Sequence, residues 1–293
     1  MTSGPAHRAP SLEAHRLRAG YPGRIVVDGL DLALPRRAVT VIVGANACGK
    51  STLLKTLARA LRPLSGAVLL DGVDTAGLPP RAFARSLGML PQDPVAPDGL
   101  SVADLVGRGR HPHHGWLDRW TAHDDEVVAE ALAATGTADL AARHVDELSG
   151  GQRQRVWIAM ALAQDPDVLL LDEPTTFLDL THQLEVLDLL RDLNHARGTT
   201  IVMVLHDLNL AARYADHLVV MAGGAVLAEG APADVVTAPV LREAFRLDAL
   251  VVPDPVTGAP MVVPRSRTAA GPSGEAGSRA GFPAVGSVAP SAV

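Results

Sequence analysis

The chain is 293 residues long, 47% hydrophobic and 20% charged, with a formal net charge of −6. With aromatics at 3%, a globular core must be built from Leu, Val, Ile and Ala. The acidic balance lacks the overall basic field that gathers nucleic acid, so DNA or RNA is disfavoured as the main partner.

Residues 1 to about 12 are rich in Pro, Ala and Gly, without the apolar stretch of a secretion signal, and read as a disordered tail. Short apolar runs bounded by Gly, Asp and Pro follow at 24–27, 39–43 and 67–70, a pattern of strands joined by turns. Val39-Thr40-Val41-Ile42-Val43 is apolar on both faces apart from Thr40, as a buried parallel strand requires. A helix is expected from Lys50 to Leu61. The middle, about 94–147, changes character: 101–106 and 125–135 are Ala/Leu-rich with helical periodicity and read as a helical insertion. Strand candidates return at 168–171 and 200–205, each preceded by a helix-like segment. This alternation predicts an α/β fold with a mainly parallel sheet. From about Pro264 the chain turns to Ser, Gly, Ala and Pro, a second disordered tail, leaving one globular region over 13–263. The lone cysteine, Cys48, excludes an intramolecular disulfide and fits a reducing compartment. No apolar run approaches the roughly 20 residues that span a bilayer, so any work at a membrane requires docking onto another chain.

Gly44-Ala45-Asn46-Ala47-Cys48-Gly49-Lys50-Ser51 fits G-x-x-x-x-G-K-[ST] between a buried strand and a helix. Backbone N–H groups of such a loop converge on phosphate oxygens, glycine permits the close approach, and the helix start aims its dipole at the same anion. Lys50 supplies a point charge for the β- and γ-phosphates, and the Ser51 hydroxyl can ligate Mg²⁺. The candidate phosphate site therefore runs from Gly44 to Thr52. Cys48 reads as a small residue of the loop rather than a redox switch. A second signal is the apolar strand 168–171 ending in Asp172-Glu173. Asp172 is placed to hold Mg²⁺, and Glu173 to polarise an attacking water as general base.

Leu148-Ser149-Gly150-Gly151-Gln152 precedes that acid pair and makes another anion-binding helix start. Two phosphate-binding elements and one acid pair suggest a nucleotide held between two copies of the chain. In these motifs and their order the sequence resembles the ATP-binding cassette (ABC) ATPases over about residues 13–263. The resemblance implies a phosphate-loop ATPase core with an N-terminal antiparallel β subdomain and a helical subdomain over about 94–147. It implies that Tyr21 stacks on adenine and that Gln92 contacts Mg²⁺ and water. It also implies that Asp179, in Phe177-Leu178-Asp179, forms the dimer-contact loop, and that His206 contacts the γ-phosphate. Two subunits would close head to tail over two ATP molecules, with Ser149, Gly150, Gly151 and Gln152 of one meeting nucleotide held by the other. Ala45 and Ala47 depart from the commoner Pro and Gly of this loop, and Ala47 is expected in an ordinary backbone region because its methyl opposes positive φ.

Val106-Gly107-Arg108-Gly109-Arg110-His111-Pro112-His113, Trp157 to Gln164, Thr175 to Leu180 and Asp254 to Gly258 resemble importers of ferric siderophores, haem or vitamin B12, the last three segments most of all the siderophore members. The resemblance thus implies separate permease subunits, indirectly a substrate-binding protein, and a peripheral place on the cytoplasmic face of the membrane. His111, His113 and His114 read as permease-facing rather than metal-binding, since no carboxylate or cysteine stands near them in sequence. Three other readings stay open: a non-transport ABC ATPase, a scaffold that does not hydrolyse ATP, and an exporter cassette. One phosphate loop without long heptads weighs against the first, Glu173 and His206 against the second, and Gly107 to His113 against the third.

Overall fold

The computed structural model describes residues 10–115, 118–176 and 178–265. Its first element is a long ribbon, β1 (Pro10–Tyr21) and β2 (Arg24–Pro35), joined by a tight turn in which Gly23 takes φ 75°. Leu30, Leu32 and Leu34 of β2 are buried while Asp31 and Ala33 face out, the period-two pattern of a sheet with one wet face. β1 opens inside the stretch assigned above to the N-terminal tail. Leu12 is fully buried because it lies between Leu34 on β2 and Leu70 on a later strand, pairings that no local sequence pattern announces. What remains of the two expected tails, 1–9 and 266–293, lies outside the described residues.

β3 (Val39–Gly44) is buried at every residue and leads into α1 (Lys50–Leu57). That helix stops four residues short of the expected Leu61. Arg59 turns left-handed at φ 59°, and the Leu61 N–H folds back to the Lys55 carbonyl at 2.9 Å. β4 (Ser65–Leu70) and β5 (Val73–Asp74) complete an antiparallel sheet of order β2-β1-β4-β5. α2 (Pro80–Ser86) and β6 (Leu87–Leu90) follow, then α3 (Val102–Gly107), a 3-10 stretch over Arg108–His113, and α4 (Ala122–Ala134). Both α3 and α4 pack on α5 (Gly150–Ala163).

The rest of the chain alternates: β7 (Val168–Asp172), α6 (Leu180–Arg197), β8 (Thr200–Val204), α7 (Leu208–Tyr214), β9 (His217–Ala222) and β10 (Ala225–Gly230). The larger sheet has the order β10-β9-β3-β8-β7-β6 and is parallel except for the β9–β10 hairpin. Its central strands divide their side chains between two cores. Ile42, Leu170 and Val202 join α1 and the antiparallel sheet, while Val41, Leu169 and Ile201 join α3, α4, α5 and α6. Full burial of each such side chain contributes about 2 kcal/mol, which explains why these strands read as unbroken apolar runs. A last hairpin, β11 (Ala249–Pro253) and β12 (Pro260–Pro264), packs on α7. No helix among the described residues is long and apolar enough to cross a membrane.

Candidate functional site

At the end of β3 the chain enters a loop whose first position, Gly44, has no room for a side chain. A Cβ on Gly44 would lie 2.4 Å from the Met221 carbonyl oxygen and 2.6 Å from the Cys48 sulfur. Gly49, at φ 111°, is the residue before α1. Ala47 corrects the expectation of ordinary backbone: it stands at φ 61°. The Cys48 N–H closes onto the Ala45 carbonyl at 3.3 Å, and a left-handed residue between them turns the chain toward the helix start. The methyl costs about 1 kcal/mol there, a strain the loop sustains because both of its ends are fixed. Cys48 itself is buried in the core cluster beside α1, in keeping with a small packing residue. Lys50 is also buried, and its ammonium donates to the carbonyls of Gly44 at 2.9 Å and Ala45 at 3.2 Å.

β7 delivers the acid pair beside this loop. Asp172 is 1% exposed, accepts a 2.9 Å bond from Ser51 Oγ at Oδ1, and has Oδ2 buried without a partner. Burial pushes its carboxyl above the ordinary range, an effect the Ser51 bond opposes and the neighbouring Glu173 reinforces. Glu173 follows the strand at φ 56°. Three groups meet its carboxylate: Gln92 Nε2 at 2.7 Å and Thr176 Oγ1 at 3.1 Å on Oε2, and His206 Nε2 at 2.5 Å on Oε1. Gln92 follows β6 and His206 follows β8, the strands on either side of β7. The carboxyl ends of neighbouring parallel strands thus converge on one carboxylate, the usual location of a ligand site in such sheets.

A cleft of about 320 Å³ connects the two halves. Asn46, Ala47, Gly49, Lys50, Ser51 and Thr52 form its floor, Glu173 and His206 one wall, and Tyr21, Arg24 and Val26 of the β1–β2 ribbon the other. Tyr21 is 46% exposed, with its ring available to a planar ligand. Ser149, Gly150, Gly151, Gln152 and Asp179 do not line this cleft; they form a separate surface. Ser149 and Gly150 are exposed, and a reciprocal pair of bonds between Ser149 and Gln152 caps α5 (Gln152 N to Ser149 Oγ at 3.3 Å, Ser149 N to Gln152 Oε1 at 3.1 Å). Asp179 caps α6 through the His182 N–H at 2.9 Å, a bond that with the His182 imidazole holds its carboxyl below the ordinary range. A Cβ on Gly151 would lie 2.9 Å from His182 Cδ2, so the two helix starts adjoin. Phe177, two residues before Asp179, lies outside the described residues.

The sequence model of the ABC transporter family matches residues 27–176, just over half of the chain. The chain belongs to the ABC transporter family. Among relatives of this ABC chain is the achromobactin transport ATP-binding protein CbrD of Dickeya dadantii, 53% identical over 257 residues, 88% of this chain and 96% of that one. Another is the ferric enterobactin transport ATP-binding protein FepC of Escherichia coli, 46% identical over 258 residues, 88% and 95% of the two chains. Among solved structures, a protein assigned as a metal-chelate type ABC transporter, seen inward-facing, superposes with a TM-score of 0.76 at 30% identity, covering 88% of this chain and 99% of that one. The ATP-binding cassette MJ0796, solved as a dimer bound to ADP and Pi after hydrolysis, gives 0.66 at 26%, covering 75% and 98%. The α/β fold with its antiparallel N-terminal sheet is that of ABC ATPases, and this ABC chain is an ATP-binding, ATP-hydrolysing one.

Within the cassette, sequence reasoning missed Arg24, Val26 and Thr176 as neighbours of the site. Thr176 had one available signal, its place three residues after Glu173 in a polar turn closed by the Thr176 N–H on the Glu173 carbonyl at 3.2 Å. His113 and His114 have different neighbours. His113 Nε2 meets the Gln164 carbonyl at 2.9 Å, while His114 lies 3.1 Å from Asp124, a carboxylate distant in sequence. Asp124 is committed to Arg110 and Thr121, and among the described residues no group of three or more His, Cys, Asp or Glu side chains gathers to hold a metal.

Proposed function

We propose that this ABC chain is the ATPase subunit of an importer of ferric siderophores. In this reading it is attached at the cytoplasmic face of the membrane to separate permease subunits, which a substrate-binding protein supplies. The observation that carries the cargo is the likeness, over nearly their whole lengths, to proteins named for achromobactin and ferric enterobactin transport.

The site residues take these roles. The loop N–H groups of Gly44 to Thr52 and the Lys50 ammonium bind the triphosphate, with Tyr21 stacked on the adenine. Glu173 takes the proton of the attacking water, held for that task by Gln92 and Thr176, while His206 bridges from Glu173 toward the γ-phosphate. Asp172 and Ser51, with Gln92, suit Mg²⁺: a buried carboxylate oxygen with no partner and a hydroxyl beside it are hard oxygen donors, too few for a full shell, so phosphate and water would complete it. Bound there, Mg²⁺ would neutralise charge on the phosphate oxygens. The exposed start of α5, with Ser149, Gly150, Gly151 and Gln152, meets the nucleotide held by a second copy, and Asp179 contacts that copy. The dimeric state of MJ0796 supports this arrangement.

Deleting the gene in its host and following uptake of radioiron from single chelates tests the cargo. At least one ferric siderophore is then no longer taken up, and the wild-type gene, but not a Glu173→Gln copy, restores it. Undiminished uptake of every ferric siderophore would refute the assignment; loss of haem or vitamin B12 uptake alone would transfer it to those cargoes.

A further inference from the structure

The hairpin β11–β12 lies beyond the part of the chain matched by the family model, and the nucleotide cleft makes no use of it. Its turn is tightly closed. Asp254 accepts the N–H groups of Val256 at 2.7 Å and Thr257 at 3.3 Å, which hold its carboxyl below the ordinary range, and its own N–H donates to the Ala259 carbonyl at 2.8 Å. This is the Asp254–Gly258 segment that the sequence singled out. It makes the hairpin a firm arm, and the arm rests on α7.

The contact is a specific one. Val262 is buried, and on the side away from β11 its backbone is met by the side-chain amide of Asn209: Val262 N donates to Asn209 Oδ1 at 2.7 Å, and Asn209 Nδ2 donates to the Val262 carbonyl at 3.3 Å. One side chain thus stands in for a neighbouring strand at an otherwise open edge. Asn209 lies in the first turn of α7, three residues after His206. Between them Asp207 caps the helix, its Oδ1 accepting the N–H groups of Asn209 at 2.8 Å and Leu210 at 2.9 Å. At seven residues α7 is too short to be stable by itself, so what holds its first turn also fixes the direction in which the chain leaves β8.

We infer that the C-terminal hairpin is a positioning device for His206: the Asn209–Val262 clasp fixes the first turn of α7 and, through the Asp207 cap, holds the imidazole on Glu173. Asn209 is a positioning residue, and its effect rests on the role proposed above for His206. The test is steady-state phosphate release by the full-length chain, with melting temperature recorded beside it, for Asn209→Ala, His206→Ala and the double variant. Asn209→Ala lowers kcat about tenfold, equivalent to 1.4 kcal/mol of barrier, and leaves KM for ATP within about twofold. In the His206→Ala background the same change alters the residual rate by less than about twofold, because the residue it acts through is gone. Asn209→Asp keeps the acceptor and loses the donor, falls between, and serves if the alanine variant does not fold. A lower melting temperature with unchanged kcat, or an equal loss in both backgrounds, overturns the inference while leaving His206 in its role. Wild-type turnover by His206→Ala overturns both.

Discussion

Ser51 and Asp172, 121 residues apart in the chain, are joined by a 2.9 Å bond from the hydroxyl to Oδ1, and the other carboxylate oxygen is buried with nothing to accept. A charged group placed this way costs stability until a cation joins it. Its raised carboxyl has a definite sign. Ionisation of Asp172 is harder in the folded chain than in the unfolded one, so this group's contribution to stability is lost as pH rises from the ordinary carboxylate range through the raised value. Asp172→Asn should therefore raise the melting temperature of the metal-free protein at neutral pH while abolishing Mg-dependent ATP turnover. Calorimetry in EDTA beside a phosphate-release assay checks both halves, and an unchanged or lower melting temperature contradicts the account of the carboxylate.

In the roles proposed above, Lys50 and Glu173 separate binding from chemistry. Lys50→Ala should weaken ATP binding and reduce turnover to background, since the loop loses its one buried ammonium. Glu173→Gln should bind ATP with near wild-type affinity and lose about 10²–10⁴-fold in kcat, the range expected for a general base. Equilibrium binding and single-turnover hydrolysis distinguish the two. A Glu173→Gln chain that turns over normally removes Glu173 from its role.

Tyr21 and Arg24 occupy paired positions across the β1–β2 turn, so both project from a single ribbon end onto the cleft. Base stacking on an aromatic ring is worth about 1–3 kcal/mol. Tyr21→Ala should raise the Kd for ATP by roughly 5- to 150-fold with kcat little changed, and Tyr21→Phe should bind normally. Equal affinity of the alanine variant would place adenine elsewhere.

Much of this was legible in the sequence, for a physical reason. The phosphate loop, the acid pair and the start of α5 each need consecutive residues in one local conformation, so spacing alone reveals them. Gln92 and His206 were placed by family likeness, and the structure brings them to the same carboxylate. What stayed hidden depends on distant pairing. Leu12 reads as tail until β2 and β4 flank it, Asp124 stands ten residues from His114 and is carried there by α4, and Asn209 meets Val262 across 53 residues. Ala47 was misjudged because its propensity was weighed alone, whereas the loop is fixed from both ends.

Tyr214 offers a pH test at a residue that does not line the cleft. Its buried hydroxyl donates to Asp188 at 2.9 Å, and burial first, then that carboxylate, push it up to about 12. The neutral phenol is thus favoured by folding. The contribution is whole below the unfolded value near 10 and is lost as pH rises from there to about 12. Urea unfolding of the wild type should show this alkaline loss, and Tyr214→Phe should show less of it. Parallel pH profiles for the two chains would refute the assignment.

In the proposed dimer, ATP joins two copies, each offering the start of α5 to the nucleotide of the other. Sedimentation velocity of Glu173→Gln, with and without Ser149→Arg in the same chain, tests it most directly, alongside ATP affinity measured at protein concentrations low enough to keep the chains apart. The account predicts a dimer with Mg-ATP for the single variant and a monomer for the double variant, which binds ATP as tightly as before. A dimer that persists with arginine at position 149, or a collapse of the monomer's own ATP affinity, would contradict it.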